Sequence, residues 1–315
     1  MSYTGVSQTD ILATIRDAYS ADIITGALNQ SAVLPLMRRL PDISTHKEVI
    51  PVMSALVQGY FPSTTGDNIP DIIPTSGISW EGINLYAEKV AALVPLPKDA
   101  VEDSEYDIEG QVVPAIKDAL AAVIDAAILH GTNKPTNWPN GLYTTVSTAS
   151  QVVSLAAFTD LYDALLSSTG AFGLVEADGF MVNGAVIHPT MLAAIRECRS
   201  SSGMPVFAAT PSEAFKYTVN GVPMSVALNG AVGSANNAKA FVGDFKQAVY
   251  AVRKDITFEI LKEATITAGS VTINLAQQEM IAIKATMRMG WQLPNPINRI
   301  NGTKANRVAF SVLTA

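Results

Sequence analysis

The side chains with which this chain could do chemistry are few: three histidines, one cysteine, a run of carboxylates between positions 99 and 109, and a short glycine turn. His46, His130 and His188 lie far apart in sequence, and none falls in a spacing that presents two ligands on one helix face or across a paired loop. A metal site or hydrolytic triad built from scattered residues stays open, but a lone histidine at a helix end is far more often simply hydrogen-bonded there. Cys198 has no second cysteine to pair with and no redox or zinc spacing around it, so it reads as a small residue on a helix. Gly230-Ala-Val-Gly233 could cradle an anion, although a flexible turn is the better reading. There is no phosphate loop, no dinucleotide fingerprint, no His-Glu-x-x-His and no nucleophile elbow. The expectation is therefore no catalytic residue, no cofactor and no metal.

Composition points away from a freely diffusing enzyme. Hydrophobic residues make up 48% of the 315 positions, only 16% are charged, and the formal net charge is −7; such a chain hides surface in partners. Its length allows one elaborate domain or two interleaved ones. The longest apolar stretch, 115–129, is interrupted by Lys117, Asp118 and Asp125 and is too short to span a bilayer, so no membrane association is expected. Residues 1–10 lack the basic start and apolar core of a leader, and the tripeptides at Asn29 and Asn301 are then chance glycosylation matches. Synthesis and assembly in a cytoplasm follow. No basic run exceeds Arg38-Arg39, which leaves the chain without the electrostatic footprint of phosphate-backbone binding.

Elements follow from periodicity. Ile11, Leu12, Ile15, Tyr19, Ile23 and Ile24 have helical spacing behind the capping candidates Thr9 and Asp10, predicting a helix over 9–30. Pro35 and Pro41 then punctuate an arm (1–47) expected to find its contacts on other molecules. Strand-like runs at 49–57 and 83–94 flank a stretch rich in Gly, Pro, Ser and Thr, which predicts an extended two-stranded loop (48–94); loops of that length tend to be intermolecular. The acidic residues 99–109 precede the strongest helix signal, 104–130, where carboxylates meet the partial positive charge of unpaired amides. Val112, Ile116, Leu120, Val123 and Ala127 form its apolar stripe, Pro114 should kink it or mark its start, and Gly131 should stop it. That helix opens a unit at 95–153.

Beyond it, 154–252 alternates helices (158–167, 189–199) with short strands (179–183, around 217, 222–227) and reads as an α/β unit. The last part, 253–315, continues a strand-rich pattern that begins at 240, with runs at 240–252, 256–263, 270–274 and 279–293, and is expected to supply antiparallel strands.

Several of these segments together resemble the tailed-bacteriophage major capsid family, the Hong Kong 97 fold, which encapsulins share. The run from Pro95 to Ser104 with the helix ending in Leu129-His130-Gly131 is similar to the family's acidic lead-in, spine helix and terminal glycine. The segment from His188 through Gly203-Met-Pro-Val206 resembles the helix and turn of its axial domain. Asn220-Gly-Val-Pro-Met224, the run from Phe241 to Lys246, Arg253 and the strand from Met280 follow in the family's order. The resemblance covers most of the chain. It implies an α+β fold with an N-terminal arm, an extended β-hairpin loop, a peripheral domain holding the spine helix and long antiparallel strands, and an α/β axial domain. It further implies a shell subunit of the virion that assembles with itself as hexamers and pentamers around double-stranded DNA, with a separate scaffolding protein, a portal, and room for a decoration protein.

Two departures qualify the resemblance. The arm begins at Met1 with no helical extension ahead of it, hence the expected separate scaffolding protein or earlier removal of a segment. No lysine occurs from Pro51 to Glu88, so cross-linking from the loop tip lacks its nucleophile. Arg38, Arg39, Tyr60, Phe61, Trp80, Glu102, Asp103 and Glu105 are the candidate intersubunit contacts: aromatics that anchor the loop on a neighbour, and arginines that meet an adjacent acidic run. Packing within the hairpin and solvation of the arm are the plainer readings. The rival functions are an encapsulin-type cargo shell and, from another class, a soluble α/β enzyme with its site in 154–252.

Overall fold

The computed structural model describes residues 31–59, 75–102, 108–198, 217–268, 271–304 and 306–315. The expected helix over 9–30, the loop tip with Tyr60 and Phe61, and Asp103 and Glu105 lie outside the described residues.

In chain order, β1 (Arg38–Arg39), β2 (Lys47–Ala55), β3 (Ser79–Tyr86) and β4 (Glu88–Pro97) lead into α1 (Lys98–Glu102) and the long α2 (Ile108–Leu129). Then come α3 (Leu142–Thr148), β5 (Val152–Ser154), α4 (Leu161–Leu166), α5 (Ala171–Ala177), β6 (Gly184–Ile187), α6 (Thr190–Glu197), β7 (Tyr217–Val219) and β8 (Val222–Val226). The chain closes with β9 (Ala238–Gly243), β10 (Val249–Leu261), β11 (Thr265–Ala268), β12 (Val271–Asn274), β13 (Met280–Gln292) and β14 (Phe310–Thr314). Two sheets organise the chain, one four-stranded in the order β1-β10-β13-β4 and one six-stranded in the order β5-β14-β9-β6-β8-β7, with two-stranded ribbons β2-β3 and β11-β12 attached.

Period-two alternation divides the six-stranded sheet between two cores. In β6, Val186 joins the cluster containing Phe241, Phe245 and Trp291, while Ala185 and Ile187 join the cluster formed with α4, α5 and α6. β14 does the same, with Phe310 and Val312 on one side and Leu313 on the other. The four-stranded sheet, antiparallel except for β1, is built on β13, whose Ile281, Ile283 and Ala285 pack beneath Ile116 and Leu120 of α2. Farther along, Ile124, Ala127 and Ile128 enter the cluster shared with the six-stranded sheet. At 22 residues and about 1.5 Å each, α2 thus spans both sheets and fixes one to the other. Gly131 stops it with a positive φ of 73°, as its lack of Cβ permits. Pro114 lies inside the helix, and Val123 points to solvent, 51% exposed, instead of joining the stripe.

The structure corrects several segments. The run 83–94 is two strands, parted at Ala87, whose N–H reaches His46 O at 2.9 Å. β3 pairs with β2, and β4 pairs with β13; the apolar alternation changes phase here, from odd positions through Ala87 to even positions from Val90, and this marks the change of sheet. Gly290 of β13 passes under this junction, where a Cβ would meet Tyr86 O at 2.4 Å. The expected strand at 179–183 starts later, at Gly184, because Asn183 is held by Asp244 and by the Phe245 N–H. The 240–252 run breaks at a 3-10 turn over Phe245–Gln247, capped by Asp244, so β9 and β10 belong to different sheets. The last strand, expected with 253–315, lies instead between β5 and β9 of the six-stranded sheet. α5 was not anticipated.

Candidate interaction surfaces

The arm is at home from Ser31 onward, a correction to the expectation that it makes few contacts within its own subunit. Ala32, Val33, Met37 and Ile43 are buried, and β1 adds a parallel strand to the edge of β10. The anchor is Asp125, a carboxylate inside the apolar run of α2 and 0% exposed. It accepts hydrogen bonds from Ser31 Oγ (2.5 Å), Ala32 N (2.8 Å) and Asn229 Nδ2 (2.8 Å). Burial pushes its pKa above the ordinary aspartate value, and these donors oppose the shift. In sequence Asp125 was visible only as an interruption.

Arg38 and Arg39 lie exposed on β1, and Arg39 pairs with Asp42 at 2.9 Å. They sit at the opposite sheet edge from β4, which leads into α1 and Glu102.

The hairpin β2-β3 carries several exposed apolar side chains. Trp80 is 62% exposed, Val49 55%, and Val57 and Ile78 are also open. One side is splinted by the segment 294–304: Ile297 N donates to Met53 O (3.4 Å), Arg299 Nη2 to Val57 O (2.7 Å) and Lys304 Nζ to Glu81 (2.5 Å). That segment is in turn fixed by buried Arg307, which donates to Asn295 and Asn301, and by Asp178, which accepts from Val308 N, Gln151 and Asn301. Neither residue carried a sequence signal, because their partners lie on segments distant in sequence. The hairpin is thus held rigid while its apolar side chains face solvent, the arrangement expected of a surface that buries itself on another molecule.

A second exposed surface lies on the face of the four-stranded sheet away from α2, a cleft of about 510 Å³ lined by Lys89, Arg253, Lys254, Lys284 and Arg288 with Thr257, Thr286 and a single carboxylate, Glu259. Lys284 already holds Glu259 at 2.9 Å and, with Lys254 and Lys89, keeps its pKa below the ordinary glutamate value.

The histidines stay apart. His46 Nδ1 meets Ala87 O, His188 Nδ1 meets Thr190 Oγ1, and His130 Nε2 meets Val232 O at 2.8 Å with its ring edge-on to Phe241. Among the described residues no group of three or more His, Cys, Asp or Glu could hold a metal ion, and no helix is long and apolar enough to cross a membrane. The glycine turn is structured: Asn229 spans it from Asp125 to Ala231 N, and Gly233 abuts the His188 ring.

Comparison with known proteins places these surfaces in context. The phage capsid family profile matches residues 13–300. A curated relative, the probable major capsid protein gp17 of Mycobacterium phage D29, is 20% identical over 270 residues, covering 77% of this chain and 81% of its own. Among solved structures, a chain of Microbacterium phage Oxtober96 superposes with a TM-score of 0.80 at 27% identity, covering 98% of both chains. One of Mycobacterium phage Bobi gives 0.76 at 25% identity, again over 98% of both. The capsid of a native GTA particle shares the fold, with a TM-score of 0.66 at 17% identity over 99% of this chain and 100% of that one.

Proposed function

The chain belongs to the phage capsid family, and from that premise we infer its work: it is the major capsid protein of a phage head, a structural subunit that associates with copies of itself and resides in the virion. The fold is the α+β capsid fold of the Hong Kong 97 type. The observation that carries the reading is the family match over residues 13–300, which takes in the four-stranded sheet, the long helix, the hairpin and every strand of the six-stranded sheet but β14.

The finer proposal is that subunits form hexamers and pentamers that close into an icosahedral shell around double-stranded DNA, assembled in the host cytoplasm with a scaffolding protein and a portal, and open to a decoration protein. Two features support it. A splinted hairpin with Trp80 and Val49 in solvent has apolar surface to bury, and a heterologous contact repeated around an axis closes rings. Many such contacts then sum to a stable wall. A net charge of −7 suits a wall that encloses DNA without gripping it. The encapsulin reading is not favoured, since the relatives are phage and GTA capsids. A soluble enzyme would need convergent ionisable groups in the α/β unit, and the one histidine of that unit, His188, is engaged by Thr190.

Sedimentation velocity on the purified chain, across protein concentration and salt, tests the proposal. Discrete capsomer-sized and shell-sized boundaries are expected. A single monomer boundary under all conditions would overturn it.

A further inference from the structure

The basic cleft contains an arrangement that a lone subunit has no reason to keep. β-Sheet register places Lys254 of β10 opposite Arg288 of β13, and Arg288 opposite Lys89 of β4. Three cations therefore stand in one row across three adjacent strands, on one face, with directly opposed side chains roughly 5 Å apart. Like charges directly opposite destabilise a sheet. Arg253 adjoins the row, and the one carboxylate lining the cleft, Glu259, is engaged by Lys284. Lys89, Lys254 and Arg288 are all exposed, so the row is available to an outside anion.

The chain's own concentration of negative charge is the run Asp99, Glu102, Asp103, Glu105, Asp107 and Glu109. Its described member, Asp99, lies in α1, which continues from the Pro97–Met280 end of the four-stranded sheet. The basic row crosses β4 at Lys89, near its other end. Ten residues of strand at about 3.3 Å each separate the two ends by roughly 30 Å, several times the screening length of about 8 Å at physiological ionic strength. Among the described residues, Asp99 is thus out of reach of the row in its own subunit. Two subunits arranged head to tail bring the two together, and a head-to-tail contact is the kind that closes rings.

We propose that the row Lys89, Arg288 and Lys254 is the docking surface for the acidic segment 99–109 of a second copy of this chain, and that this pairing selects the neighbour's orientation within the ring. The inference rests on the shell-subunit reading and names a contact within it. It also gives the acidic run a partner other than Arg39, which pairs with Asp42.

Charge reversal and swap provide the test. Lys89→Glu with Arg288→Glu, which turns the repulsion between positions 254 and 288 into attraction and keeps like charges at 288 and 89, is expected to leave the melting temperature of the isolated subunit unchanged or raised. It should lower the yield of assembled particles on the order of tenfold or more, since like charges then meet across the contact. Adding Asp99→Lys and Glu102→Lys to the same chain should restore assembly. The inference is overturned if the double variant assembles with wild-type yield and salt dependence, or if the swap fails to rescue it. It is also overturned if duplex DNA is retained by the wild-type subunit and released by the double variant, which would assign the row to a phosphate backbone. A wild-type chain that never assembles would remove the shell reading itself, a result distinct from a wild type that assembles indifferently to the reversal.

Discussion

Asp125, buried in the middle of the long helix, holds Ser31 across 94 positions of sequence with a hydrogen bond of 2.5 Å. The adjacent Ala32 N–H binds the other carboxylate oxygen, so this one side chain fixes the place where the arm reaches the body. Replacing it with alanine strands an amide N–H and the Asn229 side chain in a buried site, a loss of about 1–3 kcal/mol. Chemical denaturation of the isolated subunit should show that loss.

The same residue has a pH signature. Its pKa is raised above the ordinary 3.8 by burial, so the folded state holds the proton more tightly than the unfolded chain. The stability it contributes is full below 3.8 and declines as pH rises through the elevated folded value. Wild-type melting temperature minus that of Asp125→Asn should therefore fall as pH is raised from about 3.8; a flat difference would contradict the assignment.

His130 should behave in the opposite sense. Burial lowers its pKa below 6.5, and its Nδ1 has no partner while Nε2 faces the Val232 carbonyl, an environment suited to the neutral ring. Stability is full above 6.5 and is lost as pH falls below it. His130→Gln should flatten this decline in a melting series from pH 7.5 to 5, a range of about one unit or more to each side of an ordinary histidine.

Much of the fold was legible because it rests on local periodicity. The stripe from Ile116 to Ala127 announced α2, and Gly131 announced its end. What escaped was non-local. The phase shift from Leu85 and Ala87 to Val90 and Ala92 marks a change of sheet, but without the partner strands it reads as an irregularity in one strand. Phe310 to Thr314 is too short to stand out as a strand in sequence, and only pairing with β5 and β9 gives it a central place. The basic row was invisible for the same reason: Lys89, Lys254 and Arg288 become neighbours through register, which sequence order does not display. Trp80, a candidate contact on sequence grounds, is exposed on the hairpin, whereas the arm's docking from Ser31 is concealed in sequence because its tether, Asp125, looks like a flaw in an apolar helix.

Trp80 separates folding from assembly. At 62% exposed it does little for the subunit, so Trp80→Ala should change subunit stability by less than about 0.5 kcal/mol. If the hairpin anchors on a neighbour, the same change should weaken association by about 2 kcal/mol or more, read as a rise in the concentration needed for assembly. Equal assembly by both proteins would remove Trp80 from the interface.

The stretch from Pro51 to Glu88 contains no lysine, so isopeptide bond formation from the loop tip lacks an amine nucleophile. Assembled particles, boiled and reduced, should run as a single monomer band on a denaturing gel. A ladder of covalent oligomers would contradict this.

Electron microscopy of the purified, assembled protein tests the central claim most directly. Closed shells of uniform diameter, with clusters of six and five subunits on their surface, are the predicted image. A field of isolated subunits, or irregular aggregates without closed curvature under every assembly condition, would contradict the account.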